Sequence, residues 1–183
     1  MVKHITIMFL FLALAIHTAL AENSVTALES FEQGGEAWSI VTDWRASTAL
    51  TLIDTRASDG NWSLALSVRT SDSGWQEAGI STTLTDAADW SSEDQLAVDV
   101  YVPEGVENFI AQLFTKTGDS WTWANSADTA LTPGEWTTVA ASLSTLGDVH
   151  AIREYGIKVG TSSTAFDGQI LIDNIRLIRI NVE

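Results

Sequence analysis

The chain has 183 residues, a net charge of −15, eight tryptophans and no cysteine; of its three histidines only His150 lies beyond the first 21 residues. Nine Lys and Arg against 24 Asp and Glu leave no basic stripe to neutralise phosphates, so nucleic acid and anionic membranes are excluded as partners and a neutral ligand is favoured over an acidic one. One histidine and no cysteine also exclude a multi-His zinc site and leave a Ser-His-Asp triad little support.

In chain order, Met1-Val2-Lys3-His4 precedes an apolar run from Ile5 to Ile16 and a small-x-small stretch, Ala19-Leu20-Ala21. This is the layout of a secretory signal peptide, and the run is short for a membrane span. Residues 1–21 are predicted to be removed on export. The product from Glu22 is expected to be secreted or periplasmic, free of the membrane and monomeric. Residues 22–183 suffice for one domain with a single hydrophobic core and no disulfides.

Beyond the signal, short strands are predicted at Val25–Phe31, Ala49–Asp54, Ser63–Val68, Glu77–Thr83, Leu96–Val102, Phe109–Lys116, Trp121–Ala124, Glu135–Ala141, Tyr155–Val159 and Gly168–Ile180. The alternation is plainest in Leu96-Ala97-Val98-Asp99-Val100-Tyr101-Val102, where the even positions are apolar. Turn clusters punctuate the runs: Gln33-Gly34-Gly35, Ser58-Asp59-Gly60-Asn61, Ser71-Asp72-Ser73-Gly74, Thr117-Gly118-Asp119 and Thr132-Pro133-Gly134. A turn or two of helix is expected between Leu143 and Ile152. The pattern is that of an all-β protein, a sandwich or barrel.

Several ordered segments carry a family resemblance. They are Ser30-Phe31-Glu32-Gln33-Gly34, Asp59-Gly60-Asn61-Trp62-Ser63-Leu64, Leu96 to Pro103, Pro133-Gly134-Glu135-Trp136, Tyr155-Gly156-Ile157-Lys158-Val159 and Ile172-Asp173-Asn174-Ile175-Arg176-Leu177. The set resembles β-sandwich carbohydrate-binding modules with a galactose-binding-like jelly roll, nearest to the mannan-binding modules of family 27. The resemblance implies a two-sheet antiparallel sandwich and a neutral β-linked polysaccharide, such as β-mannan, as partner.

Tryptophan suits this role because its flat apolar face stacks on a sugar ring. In Trp75-Gln76-Glu77-Ala78-Gly79-Ile80, a period of two turns Trp75 and Glu77 away from a core face holding Ala78 and Ile80. That pairs a stacking platform with a hydroxyl acceptor, and the resembled modules have a stacking Trp at the position of Trp75 and near Trp121. Trp123 shares a strand face with Trp121 by spacing, and Trp44 is the preferred groove-rim residue of the first long connection. Gln112 and Lys158 alternate away from apolar neighbours and add polar contacts. Trp90 is expected in the core, Trp136 is expected beneath the sheet by resemblance, and the roles of Trp38 and Trp62 stay open. Covering half of an indole's ~200 Å² is worth ~2.5 kcal/mol, so two platforms less the association cost give a Kd between about 1 µM and about 1 mM.

The resemblance also implies a structural calcium ion, held by Glu32 and Asp173 near the first and last strands with Asp59 in reach. Calcium takes 6–8 hard oxygens, which carboxylates and carbonyls supply. Two other functions compete with glycan binding. One is an exported adhesion or envelope sandwich without glycan specificity. The other is a small jelly-roll glycoside hydrolase or lyase, which needs only two suitably spaced carboxylates; the Glu-x-Asp-x-x-Glu strand motif of jelly-roll glucanases is absent. A non-catalytic module is the favoured reading.

Overall fold

The computed structural model describes residues 22–181, so the predicted signal segment lies outside the described residues. Among the described residues twelve strands form: β1 Ser24–Glu29, β2 Trp38–Ile40, β3 Ser47–Ile53, β4 Ser63–Thr70, β5 Gln76–Ala88, β6 Gln95–Tyr101, β7 Ile110–Thr117, β8 Thr122–Asn125, β9 Thr129–Ala130, β10 Trp136–Ser142, β11 Ile152–Thr161 and β12 Phe166–Arg179. The expected helical stretch condenses to one 3₁₀ turn, Leu143–Thr145. No helix of the described residues is long and apolar enough to cross a membrane.

The strands make two antiparallel sheets. The first has the order β10-β6-β12-β4-β3, with β1 paired to β12 beyond the end of β4; the second has β2-β5-β11-β7-β8, with β9 also on β7. Alternation decides which side chains lie between them. Leu64, Leu66, Leu96, Val98, Val100, Ile170 and Ile172 come from the first sheet, and Ala78, Ile80, Ala111, Leu113, Ile157 and Val159 from the second; all belong to one buried cluster. The sandwich expected from the sequence is the fold observed.

The intervening positions face outward. On the second sheet the register aligns Gly79, Lys158 and Gln112 in one row across β5, β11 and β7, with Glu77, Gly160 and Ile110 in the next. On the other side of the first row come Ser81, Gly156, Phe114 and Asn125. Three of these outward positions are glycines. A glycine in a strand leaves a gap that a neighbouring group can occupy, and here aromatic rings fill all three gaps.

Candidate functional site: an aromatic face on the second sheet

Trp75 immediately precedes β5 and is 50 % exposed. Its ring lies over Gly160, where a Cβ would come within 2.6 Å of Trp75 Cζ2. The indole N–H donates to Glu77 Oε1 at 2.7 Å, and Lys158 Nζ meets the same oxygen at 2.8 Å. Burial pushes the Glu77 carboxyl up, but the hydrogen bonds from Lys158 and Trp75 and the ammonium charge outweigh it and hold the pKa below its ordinary 4.5. Glu77 is therefore ionised at neutral pH. With Oε1 taken twice, Oε2 has no protein partner among the described residues and is open to a hydroxyl donor.

Trp44 comes from the β2–β3 connection, which runs along β5 through Val41 N–H to Gly79 O and Ala46 N–H to Glu77 O. Its ring fills the space above Gly79, where a Cβ would sit 2.6 Å from Trp44 Cε3. Phe114 fills the third gap, with Cζ 2.7 Å from a Cβ built on Gly156. Trp123, on β8, stacks on Phe114 at 4.3 Å with planes 16° apart, and Trp44 meets both rings edge-on at 5.3 and 5.9 Å. Trp123 remains 41 % exposed. Lys158 Nζ lies 5.8 Å from the Trp44 ring centroid, within cation–π range.

Trp44 thus stands between two clefts. One, of about 340 Å³, is lined by Asp43, Trp44, Arg45, Arg69, Trp75 and Glu77. The other, of about 390 Å³, is lined by Val41, Asp43, Trp44, Lys116, Trp123 and Lys158. Gln112 sits beside Lys158 in the register, its amide donating to Ser126 O at 3.2 Å. Lys116 pairs with Glu154 at 3.0 Å as Lys158 does with Glu77, so two cations and two acids neutralise one another here in a strongly acidic chain.

Six of the seven predicted site residues, Trp44, Trp75, Glu77, Gln112, Trp123 and Lys158, therefore meet on one face. Trp121 does not join their ring contacts. It is a turn residue at φ +53° ahead of β8, not part of the strand, and it is 45 % exposed. The Gly118–Trp121 turn absorbs the position that simple alternation would have placed beside Trp123. Trp38 and Trp90 are core residues, at 6 % and 5 % exposure. Trp136 departs from expectation: opposite Tyr101 in the register, it lies on the outer face of the first sheet, half-buried. Phe114 and the glycines beneath the rings were not singled out from the sequence. The legible signal was three glycines at outward positions of otherwise well-formed strands.

The predicted metal residues converge on one loop, residues 58–62, through backbone N–H groups rather than as a cluster of side-chain oxygens. Glu32 Oε1 accepts Asn61 N–H and Trp62 N–H, each at 2.7 Å. Asp173 Oδ2 accepts Ser58 N–H at 2.7 Å and Asp59 N–H at 3.0 Å, and Oδ1 accepts Asn174 N–H at 2.7 Å. Asp59 enters through its backbone. No group of three or more His, Cys, Asp or Glu arranged to hold a metal occurs among the described residues. Glu32 Oε2 keeps only the Asn61 side-chain amide, at 3.4 Å, whereas both Asp173 oxygens are already engaged by backbone N–H groups. Burial raises the Asp173 carboxyl, opposed by those backbone donors, whereas backbone N–H groups lower Glu32.

A two-layer antiparallel sandwich with ring-bearing clefts on one outer face defines the class: a galactose-binding-like β-sandwich of the carbohydrate-binding-module type. Residues 29–174 match the family model described as "Mannanase, galactose-binding domain-like", and the chain belongs to that family. No curated protein sequence matches the chain. Among solved structures it is similar to the CBM27-1 module of Caldicellulosiruptor saccharolyticus in complex with mannohexaose, at TM-score 0.68 and 12 % identity over 86 % of this chain and 97 % of that one. It is also similar to the family 11 module of Clostridium thermocellum Lic26A-Cel5E, at TM-score 0.63 and 15 % identity over 89 % and 99 %. A third is the non-crystalline-cellulose-specific module CBM28, at TM-score 0.67 and 15 % identity over 83 % and 94 %. At such identities the likeness is one of fold.

Proposed function

We propose that the protein is an exported, non-catalytic module that binds a neutral β-linked polysaccharide, β-mannan above all, on the outer face of the second sheet. The observation that carries this reading is the row formed by Trp75 and Trp44, held over strand glycines, and Trp123, stacked on Phe114, beside the internally neutralised Glu77–Lys158 pair. Sugar rings stack on the open indole faces, while Glu77 Oε2, the Lys158 ammonium and the Gln112 amide carbonyl meet hydroxyls. Trp121, exposed on the β7–β8 hairpin, extends the surface for a longer chain. The mannanase family description and the mannohexaose complex of a structural neighbour favour mannan among neutral glycans.

The acids of this face support a non-catalytic reading. A glycosidase acid carries a raised pKa, whereas Glu77 is lowered and bound by a cation, and Glu154 is committed to Lys116. Export would leave a monomer beginning at Glu22, a start that intact-mass measurement of the secreted product reads directly.

Affinity electrophoresis tests the reading, with wild type and Trp75→Ala run against galactomannan, glucomannan, mixed-linkage glucan and xylan. Wild type should be retarded most by the mannans. Loss of one platform, worth ~2.5 kcal/mol, should weaken binding on the order of 50- to 100-fold. Equal migration of both proteins in every gel contradicts the proposal, as does release of reducing sugar from any of the polymers.

A further inference from the structure

The first sheet has an aromatic strip of its own. Leu171, Tyr101 and Trp136 are successive cross-strand partners on β12, β6 and β10; Ile172 and Val100, next to the first two, fill the core, and Val139, an odd step along β10 from Trp136, does the same, so all three partners face outward. Tyr101 and Trp136 lie 5.7 Å apart with planes tilted by 52°. The Arg56 guanidinium, from the β3–β4 connection, sits 4.3 Å from the Tyr101 centroid. Ser63 Oγ donates to Arg56 O at 2.7 Å, pinning that stretch of backbone to β4. Ile53, Arg56, Tyr101, Pro103, Gln169 and Leu171 line a cleft of about 410 Å³, a size typical of small-ligand sites.

Arg56 is the unusual member. Acids outnumber bases by 24 to 9 in this chain, yet among the described residues Arg56 makes no ion pair and spends no guanidinium donor on another protein group. The ring beneath it limits its rotamer freedom, so part of the ordering cost of a ligand contact is already met. A planar fork of free donors above an apolar floor matches a carboxylate carried on a sugar ring. The Gln169 side chain, exposed at the rim, is suited to the hydroxyls.

We propose that this face is a second ligand site, separate from the aromatic face of the second sheet, which takes a uronate-bearing sugar unit through Arg56, Gln169 and the Tyr101–Trp136 strip. The overall acidity opposes anions at long range, but at physiological salt that field is screened beyond about 8 Å. The charge that decides the contact is then the local one.

The test is a calorimetric and NMR titration of the mature protein with xylotetraose, with the same tetraose carrying a glucuronate branch, and with sodium acetate. The branched sugar should bind wild type at least fivefold more tightly than the unbranched one and move the Trp136 indole N–H resonance. Arg56→Gln should abolish that gain with an unchanged amide spectrum elsewhere, and Trp75→Ala should keep it. Equal affinity for both sugars, a gain that survives Arg56→Gln, perturbation confined to Trp75, or a response to acetate equal to that of the branched sugar each overturn the proposal. None of these outcomes bears on mannan binding at the other face.

Discussion

At the scale of single residues, the site depends on what glycine omits. A methyl group at position 160 would collide with the outer edge of the Trp75 ring, an exposed group able to swing away, while the nearest backbone atom, Gln76 O, lies 3.0 Å off. Gly160→Ala should therefore displace the platform without removing it: mannan affinity falls about tenfold while the melting temperature moves by no more than about 4 °C, roughly 1 kcal/mol. Unchanged affinity would contradict the placement of Trp75. Glu77 supplies a pH test. Its lowered folded-state pKa means that its contribution to stability is present above the ordinary 4.5 and is lost as pH falls through the folded value. Glycan affinity should accordingly be flat from about pH 8 to about pH 5 and decline only in more acidic solution. Isothermal titration across that range checks it, and an affinity peak near the ordinary carboxylate pKa would contradict it.

At the scale of strands and loops, alternation made most of the design readable. Ala78 and Ile80 go inward and Trp75 and Glu77 outward as the period of two requires, and the same rule orients Gln112 and Lys158. It failed where the backbone leaves the extended region. Trp121 sits at positive φ in a turn, costly for a bulky residue. In β12, Asn174 at φ +50° inserts a bulge, so the inward series Ile170, Ile172 resumes at Ile175 and Leu177 rather than at 174. The lodging of the β2–β3 connection over Gly79 was not legible either, since nothing local in Val41-Thr42-Asp43-Trp44 states which strand it will follow. The loop after β3 is held by N–H groups of residues 58–62 on Asp173 and Glu32. The melting temperature should thus be the same in excess chelator and in millimolar calcium; a rise of several degrees with calcium would show that a cation replaces those donors.

For the whole molecule, the division of labour follows from having two sheets with one shared core. The inner faces supply the hydrophobic stability and leave both outer faces free for ligands. The second sheet assembles three indoles, a phenylalanine and two neutralised ion pairs into adjoining clefts, whereas the first presents a narrower strip beside the Arg56 guanidinium, which has no ion pair among the described residues. All eight tryptophans lie in residues 22–181, so their indole N–H resonances report on both faces and on the core in one spectrum. Titration of the mature protein with mannohexaose, followed by these resonances, is the most direct measurement. Trp75, Trp44 and Trp123 should shift together and saturate at one sugar concentration, with Trp38, Trp90 and Trp136 unmoved. A titration that leaves the first three in place, or that moves Trp136 alone, would contradict glycan binding on the second sheet.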